Sequence, residues 1–478
     1  MAVFFDSHCH MMNLSHPNLT AMIKRTFSEA MPKKLIRYIE KAVALPLVVK
    51  ILICFLLFLP LLVILLIVLV VGLIAAVLFL LFPSARRVLT GILKEQVANT
   101  MNLLAVMETD IGDCLIQLEE ELRNKFETRR GVILYGDCEE KVYDKIVLTP
   151  LIMDFGLKNY KESKSPYKVR WKPIVAQVED LFLGIRDYYL YRESYIKSTG
   201  TPVPPLFEIH PFMGINTRNY RLKSFPFIDG PPSLLEDLLA TNFRDFADDT
   251  TPEMRYRNLS QRDRSKFDGN IKSIGSHDFI GIKVYPPLGF NPWPEKIEEG
   301  YTDDGELKRE REKVEYLYNF CIERNIPITA HCSDGGFLVD QKYREFASPF
   351  KWAKVLEQQK YNKLRLNLAH FGGVERDDWR ERIAEFLLIY DNVYTDISYQ
   401  GVDEKIYSKL KLFLDRFGAD ERKRLIRKII FGSDFMINLM NIEKYSTYLE
   451  YFAETEALTL VEKELLCHTN AMKFLYLA

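Results

Sequence analysis

Short apolar stretches rich in β-branched residues alternate along most of the chain with longer amphipathic stretches. The short stretches are typical of buried parallel strands, and the longer ones have the spacing of helices that cover a sheet. Eight strands are therefore predicted, with helices between them. They cover residues 3–10, 145–150, 206–215, 280–286, 326–332, 364–370, 392–398 and 429–435.

Eight strands with intervening helices predict an α/β fold, and specifically a (β/α)8 TIM barrel. The strands are unevenly spaced, because about 134 residues separate the first strand from the second. We divide the chain accordingly. Residues 1–16 hold the first barrel strand, 17–144 form an insertion with long hydrophobic helices, and 145–478 form the remainder of the barrel.

The insertion contains an apolar run, residues 51–82, in which 32 consecutive positions carry no charge. A run of that length without a polar face is typical of a membrane segment, and a hydrophobic helix buried in a soluble oligomer is the alternative. As one helix it would measure about 48 Å, more than one ~30 Å hydrocarbon core and less than two. We expect residues about 43–82 to form a membrane hairpin or re-entrant segment turning near Pro60, with a kinked interfacial helix as the second interpretation.

Basic side chains flank the apolar run on both sides. They are Lys33, Lys34, Arg37 and Lys41 before it, and Arg86, Arg87 and Lys94 after it. Basic flanks favour the cytoplasmic side of a membrane. Strands before and after the run must also meet in one barrel, so both ends are expected on one side. The sequence thus predicts membrane association through lipid contacts of about 43–82, with the barrel on the cytoplasmic side.

The overall composition indicates an ordinary folded protein. The chain has 64 Lys+Arg and 65 Asp+Glu, and its formal net charge of −1 predicts no nucleic-acid partner. The seven cysteines form no C-x-x-C pair, which is typical of a reducing compartment. The sequence does not fix the oligomeric state, and a homo-oligomer stays open.

Candidate chemistry lies at the ends of the predicted strands. The first strand ends in Asp-Ser-His-Cys-His, so that His8 and His10 point to the same side. The fifth, sixth and eighth strands end at His331, His370 and Asp434. Carboxyl-terminal strand ends form the rim where barrel enzymes carry their sites, and imidazole and carboxylate groups together suit a zinc ion.

Each of these residues also has a structural interpretation. Taken alone, the two histidines of the first strand are more often structural than metal-binding, and Asp434 has the position of a helix cap. The coincidence of four histidines at strand ends, from eight in the whole chain, favours a shared site.

The ordered motifs resemble a known family. They are DSHCH at 6–10, GIKVYPP at 281–287, PITAHCS at 327–333, LNLAHFGG at 366–373, NVYTDIS at 392–398, IIFGSDF at 429–435 and TNAMKFLYL at 469–477. This set is similar to the amidohydrolase superfamily, and more closely to its amidohydrolase-related (amidohydro-2) branch, which includes aminocarboxymuconate-semialdehyde decarboxylase-like proteins. The resemblance does not extend over residues 17–144.

The resemblance implies a role for each strand-end residue. His8, His10, His331 and Asp434 would hold one divalent ion, with zinc favoured, and Asp434 would accept the proton of the metal-bound water. His370 would bind a second ion or polarise the substrate.

Lys283, in the fourth strand, has two implied roles. It would either become carboxylated and complete a second metal site with His331 and His370, or pair with Asp434 or a substrate carboxylate. Arg218 and Arg376 follow the third and sixth strands. They would meet an anionic substrate, or they are solvated loop charges.

The expected function is a membrane-associated, metal-dependent hydrolase. It would attack a small carbonyl compound (an amide, cyclic amide or lactone) with metal-activated water. A decarboxylase or hydratase on the same site is one alternative. A membrane-active or scaffolding protein with a ligand-sensing barrel is another.

Overall fold

A computed structural model describes most of the chain outside the apolar insertion. The described residues are 3–13, 98–126, 132–136, 139–154, 174–200, 203–225, 233–338, 341–403 and 405–476. Backbone contacts divide the chain into one unit of Met1–Asn18 with Leu103–Ala478, and a second unit of Leu19–Asn102. The account below concerns the first unit.

The predicted membrane segment at 43–82 lies outside the described residues, so it stays a prediction. Within the described ranges, every helix is too short or too polar to span a bilayer.

The described part of the first unit is an α/β structure whose main sheets are parallel, as the sequence predicts at that level. Its strands are β1 Val3–Cys9, β2 Val132–Tyr135, β3 Glu140–Tyr143, β4 Lys145–Pro150, β5 Phe207–Ile209, β6 Phe212–Gly214, β7 Gly281–Val284, β8 Ile328–His331, β9 Leu366–Ala369, β10 Val393–Asp396 and β11 Ile429–Ile430. Each of the eight predicted strands contains at least one of these elements. The short antiparallel pair β2–β3 lies in the predicted insertion.

Two parallel sheets account for the remaining strands. One has the order β1-β4-β5, and the other has the order β11-β10-β9-β8-β7-β6. Their registers bring the carboxyl ends of neighbouring strands to one level, with His331 opposite Ala369, for example. Side chains that follow those strand ends therefore lie close in space.

Backbone hydrogen bonds connect the two sheets at both of their edges. At one edge, Leu151 after β4 forms a parallel bridge with Phe212, and the amide of Ile152 donates to the Phe212 carbonyl at 3.2 Å. At the other edge, the amide of Ser7 in β1 donates to the carbonyl of Phe431 at 3.0 Å. The first and the last strands of the chain are thus neighbours.

The described residues also form the following twelve α-helices. They are α1 Ile111–Lys125, α2 Ile174–Thr199, α3 Leu235–Phe243, α4 Pro252–Ser260, α5 Asp304–Arg324, α6 Pro349–Leu356, α7 Asp377–Ile389, α8 Ile406–Leu414, α9 Ala419–Ile426, α10 Tyr445–Glu454, α11 Leu460–Glu464 and α12 Asn470–Tyr476. Local signals set their ends. The Asp303 carboxylate caps α5 by accepting from the Glu306 amide at 2.8 Å, and Asn325 ends it in the left-handed region at φ 54°.

Apolar residues from both sheets meet in one core cluster. It includes Phe5 of β1, Val147 of β4, Phe212 of β6, Ile430 of β11 and Phe474 of α12, all of them fully buried. Burial of such side chains is the main favourable term in folding. The cluster holds the strand ends of the two sheets in fixed relative positions.

A second, buried polar cluster joins the start of β4 to β5 and to the residue that follows β5. Glu208 accepts from the Lys145 ammonium at 2.6 Å and lies 3.0 Å from the His210 ring, which also bonds the Tyr476 hydroxyl at 2.6 Å. Burial raises the pKa of Glu208, but the contacts with His210 and Lys145 outweigh it and hold that pKa below its ordinary range. This cluster fastens α12 to β4 and β5.

Part of the predicted insertion packs on the α/β structure. Helix α1 crosses α2 closely at Gly184, where an added Cβ would lie 2.5 Å from the Cβ of Ile111. The buried Glu119 of α1 accepts a short hydrogen bond from Tyr188 of α2 and lies 3.4 Å from the Arg192 guanidinium. The part of the insertion that forms α1 therefore packs against α2.

Candidate metal centre

Two imidazole rings, of His8 and His10, lie at the carboxyl end of β1, and hydrogen bonds fix the orientation of each ring. The Nδ1 atom of His8 lies 2.9 Å from the Asp396 carboxylate, and the Nδ1 atom of His10 lies 2.9 Å from the carbonyl oxygen of Leu151. Both partners are acceptors, so each Nδ1 carries the proton. The Nε2 atom of each neutral ring is left as a lone pair, which is the form that binds a metal.

Asp434 places a carboxylate between those lone pairs. Its backbone is in the left-handed region at φ 60°, and its amide donates to the carbonyl of His8 at 2.7 Å. Its Oδ1 atom lies 3.2 Å from the Nε2 atom of His10 and 3.4 Å from that of His8. Burial raises the pKa of Asp434, but the contacts with His10 and His8 outweigh it and hold that pKa well below its ordinary range. The side chain is therefore a carboxylate.

Three acceptor atoms thus converge without enough protons to join them. Neither His8 Nε2 nor Asp434 Oδ1 has a hydrogen-bond partner among the described residues. Burial lowers the pKa of His10, so that this ring stays neutral. Burial, the largest single effect, lowers the pKa of His8, but the charge of Asp396 together with the hydrogen bonds of Asp396 and Asp434 outweighs it, so the pKa of His8 is raised. One proton on His8 satisfies part of the arrangement, whereas a divalent cation satisfies all three atoms.

A carboxylate on the neighbouring strand orients the histidines. Asp396, at the end of β10, accepts from His8 Nδ1 at 2.9 Å, from the Asn367 side-chain amide at 2.7 Å and from the His370 backbone amide at 2.9 Å. It also accepts from the amide and the hydroxyl of Ser398. Burial raises the pKa of Asp396, but the charge of His8 and these hydrogen bonds outweigh burial and hold it below its ordinary range.

Two more imidazole rings, of His370 and His331, lie beside the first site, and each has one nitrogen with a free lone pair. The His370 Nδ1 atom lies 2.9 Å from the Ser398 hydroxyl oxygen, which donates its own proton to Asp396, so His370 Nδ1 is a donor. His331 Nε2 lies 3.0 Å from the carbonyl oxygen of Gly335 and is likewise a donor. The remaining nitrogens, His370 Nε2 and His331 Nδ1, face each other at 2.9 Å.

The His370 and His331 rings carry no positive charge. Burial lowers the pKa of His370 to about 4 and the pKa of His331 well below its ordinary value. Both rings are therefore neutral at pH 7, and their facing lone pairs repel unless a proton or a cation lies between them.

Lys283 on β7 adds a buried ammonium to this region. The side chain is 1% exposed, and its Nζ atom has no hydrogen-bond partner among the described residues. Burial lowers the pKa of Lys283 to about 8, although the charges of Asp396 and Asp434 act in the opposite direction. An unpaired buried cation is costly, so this position favours an anionic partner.

The structure therefore brings the predicted strand-end residues to one face. Donor atoms of His8, His10 and Asp434 lie within 4.8 Å of one another, and so do those of His8, His370 and Asp396. The second group already has its hydrogen bonds. His331 belongs to neither group among the described residues and joins the site through His370. The fit of nitrogen and oxygen donors to a divalent cation is best at the first group.

The two predicted substrate-binding arginines have contacts of other kinds. Arg218 is buried and donates to the carbonyl oxygens of Gly289 and Gly300 at 3.2 Å each, with its guanidinium over the Tyr301 ring. Arg376 makes two 2.8 Å hydrogen bonds to Asp378. These contacts are structural, and a role of either arginine toward an anionic substrate stays a prediction.

Two further residues belong to the site and were not singled out from the sequence. The ring of Tyr285 lies 4.5 Å from that of His331, and its hydroxyl accepts from the Phe337 amide at 2.9 Å. The backbone carbonyl of Gly335 fixes the His331 tautomer. Tyr285 follows Lys283 in the same predicted strand, which is a usable signal, but a backbone carbonyl leaves no mark in a sequence.

Comparison with known families gives one match. Residues 268–477 fit the family model described as amidohydrolase, in its amidohydro-2 branch. This range is somewhat under half of the chain, and it includes Lys283, His331, His370 and Asp434 but not the first strand. No curated protein sequence matches the chain.

Several solved structures show a weak likeness. An uncharacterised TIM-barrel protein from Bordetella bronchiseptica is 14% identical, with 69% of this chain and 77% of that chain covered and a TM-score of 0.31. A 5-carboxyvanillate decarboxylase from Novosphingobium aromaticivorans, complexed with manganese, is 12% identical, with 70% and 77% covered and a TM-score of 0.32. Dihydroorotase from Campylobacter jejuni is 14% identical, with 70% and 73% covered and a TM-score of 0.29. Scores this low do not by themselves establish a shared fold.

Proposed function

We propose, because the chain belongs to the amidohydrolase superfamily, that it is a metal-dependent enzyme acting on a small carbonyl or carboxylate compound. The supporting observation is the convergence of His8 Nε2, His10 Nε2 and Asp434 Oδ1, three buried acceptors with too few protons to join them all. Such an arrangement is stable only around positive charge.

The fold we propose is a closed (β/α)8 barrel. Its support is the pair of hydrogen-bonded seams, Leu151 to Phe212 at one edge and Ser7 to Phe431 at the other. Closure explains how residues at opposite ends of the chain share one site, since β1 is then the neighbour of the last strand. A membrane anchor at about 43–82, with the barrel on the cytoplasmic side, stays a prediction beside this proposal.

In the proposed site, His8, His10 and Asp434 hold a divalent cation, with zinc as the favoured ion. Such an ion polarises a carbonyl group and lowers the pKa of water toward about 7. The chain's own groups then supply orientation and proton transfer. Asp396 keeps His8 in the binding tautomer, and Asp434 offers a carboxylate that accepts a proton from an attacking water.

The neighbouring groups suit the rest of the substrate. The lone pairs of His370 and His331 accept a hydrogen bond or bind a second cation, and the Lys283 ammonium pairs with an anionic group. Hydrolysis of an amide, cyclic amide or lactone is the first function this arrangement supports. The unpartnered ammonium of Lys283 also favours a carboxylate in the substrate, so decarboxylation is the second candidate.

The test begins with metal content. Purified full-length protein should carry at least about one divalent ion per chain, and His10→Ala should lose it. His468→Ala is the matched control, because that ring also bonds a backbone carbonyl, of Val3, at the opposite end of β1. Metal retained in His10→Ala to the same extent as in the control would contradict the proposed donor set.

Turnover is then measured on two sets of compounds with the metal-loaded protein. One set contains cyclic amides and lactones and is followed by acid formation; the other contains aromatic carboxylic acids and is followed by CO2 release. Activity on either set should disappear in Asp434→Asn. A metal-loaded wild type that turns over neither set would favour the scaffolding alternative.

A further inference from the structure

A cavity of about 390 Å³ lies between helices α2 and α3 and the strand β6. No residue that lines it belongs to the metal centre. Its walls are mostly apolar, with Val178 from α2, Leu238 from α3 and Phe279 before β7. Its size lies at the lower end of the range that is typical of small-molecule sites. We call it the outer cavity.

One end of the outer cavity is polar. Asp154, Asn219 and Tyr220 line it there, and all three are buried. The side-chain amide of Asn219 donates to Asp154 Oδ2 at 2.9 Å, whereas Asn219 Oδ1 has no hydrogen-bond partner among the described residues. A buried acceptor in this state calls for a donor, because leaving it unpaired costs free energy.

The chemistry of the walls restricts that donor. Water in a cavity needs two to four polar partners. The buried polar side chains of the lining are Asp154, Asn219, Tyr220 and Asn242, whereas Ser233, Asp237, Thr241 and Lys272 line its exposed side. An anionic group in the buried part is disfavoured by the Asp154 carboxylate, while the other two charged groups of the lining, Asp237 and Lys272, have opposite signs and lie on the exposed side. Burial and the charge of Asp154 raise the pKa of Tyr220 well above its ordinary value, so its hydroxyl stays protonated and adds no charge.

We propose that the outer cavity binds a small neutral amphiphile, with an apolar body against Val178, Leu238 and Phe279 and a hydroxyl or amide group that donates to Asn219 Oδ1. This site is separate from the metal centre and does not depend on the proposed function. It also contacts the segment that follows β6, which carries Arg218.

The test uses three probes with one apolar body and different polar groups. They are 4-propylphenol, 4-propylanisole, in which the donor is methylated, and 4-propylbenzoate, which is anionic. Isothermal titration calorimetry with the full chain should give saturable binding of the phenol at one site per chain. The anisole should bind about tenfold more weakly, the loss expected for one hydrogen bond, and the benzoate more weakly still.

Two variants separate the apolar and polar parts of the proposal. Leu238→Trp should fill the cavity and abolish binding of the phenol and the anisole, whereas Leu190→Trp, on the exposed side of α2, is the control for non-specific uptake. Asn219→Leu should keep anisole binding and reduce the preference for the phenol to about one. Circular dichroism confirms that each variant is folded.

Three results would overturn the proposal. The first is absence of saturable phenol binding to the wild type. The second is equal phenol binding by wild type and a folded Leu238→Trp variant. The third is an unchanged phenol preference in Asn219→Leu, because that preference is the property assigned to Asn219 Oδ1.

Discussion

Replacing Asp396 with asparagine tests how the metal centre is held together. In the structure, Asp396 Oδ2 accepts from His8 Nδ1 and from Asn367, and Oδ1 accepts from the His370 amide and from Ser398. Asparagine has the same shape, but one of its terminal atoms is an NH2 group that only donates. Whichever way the side-chain amide is turned, its NH2 group faces at least two donors.

The expected losses of zinc affinity and of stability follow from the number of donors that face the NH2 group. If the NH2 group faces His8, the imidazole must become an acceptor at Nδ1, and its proton moves to Nε2, where a cation is expected. Loss of such a carboxylate partner weakens metal binding about 10–100-fold, or about 1.4–2.7 kcal/mol. Two opposed donors at about 1–3 kcal/mol each also destabilise the metal-free protein by about 2–6 kcal/mol.

Both quantities are measurable on one preparation. Zinc affinity is obtained by competition with a chelating dye, and the free energy of unfolding by urea titration of the metal-free protein. Asp403→Asn is the control, since that aspartate is 52% exposed and contacts Lys409 at the surface. Equal zinc affinity in Asp396→Asn, Asp403→Asn and wild type would refute the assigned role of Asp396.

Three further substitutions test other parts of the structure. Glu208→Gln should lower the free energy of unfolding by about 3 kcal/mol at pH 7. The pKa of Glu208 is depressed in the folded state, so its contribution to the free energy of unfolding is present above the unfolded-state pKa of 4.5 and declines as the pH falls below that value. The difference in unfolding free energy between wild type and Glu208→Gln, measured by urea titration, should therefore shrink at pH 3. Gly336→Ala should destabilise by about 1–3 kcal/mol, because φ is 101° and the new Cβ would lie 2.2 Å from the Tyr285 hydroxyl, whereas Gly335→Ala, with no Cβ contact nearer than 3.6 Å, should have a smaller effect. Gly184→Ala should cost about 1–3 kcal/mol through overpacking against α1, and an unchanged thermal midpoint would argue against that helix contact.

The positions of the parallel strands could be predicted because each is a short buried run that contains apolar residues and lies between longer amphipathic stretches. The details depend on single residues. Pro211 has no amide hydrogen to donate, so the third predicted strand is divided into β5 and β6 on either side of it. The eighth predicted strand extended to residue 435, but only Ile429–Ile430 pair as a strand, and the Phe431 amide donates to the Leu466 carbonyl instead of to a neighbouring strand.

The sequence could predict which residues lie close together, but not all of the hydrogen bonds between them and their neighbours. Side-chain alternation and strand ends correctly indicated that His8, His10 and Asp434 approach one another. The proton on the His10 ring could not be read from the sequence, because it is fixed by the backbone carbonyl of Leu151, a partner distant in the chain. Loop residues were less predictable, and the carbonyl partners of Arg218 come from backbone atoms of another loop.

Anomalous X-ray diffraction from crystals of the zinc-loaded protein tests the central claim most directly. The account predicts an anomalous peak, measured at the zinc edge, about 2.0–2.2 Å from His8 Nε2, His10 Nε2 and an Asp434 carboxylate oxygen. A peak located elsewhere, or clear density for these three side chains with no metal between them, would contradict it.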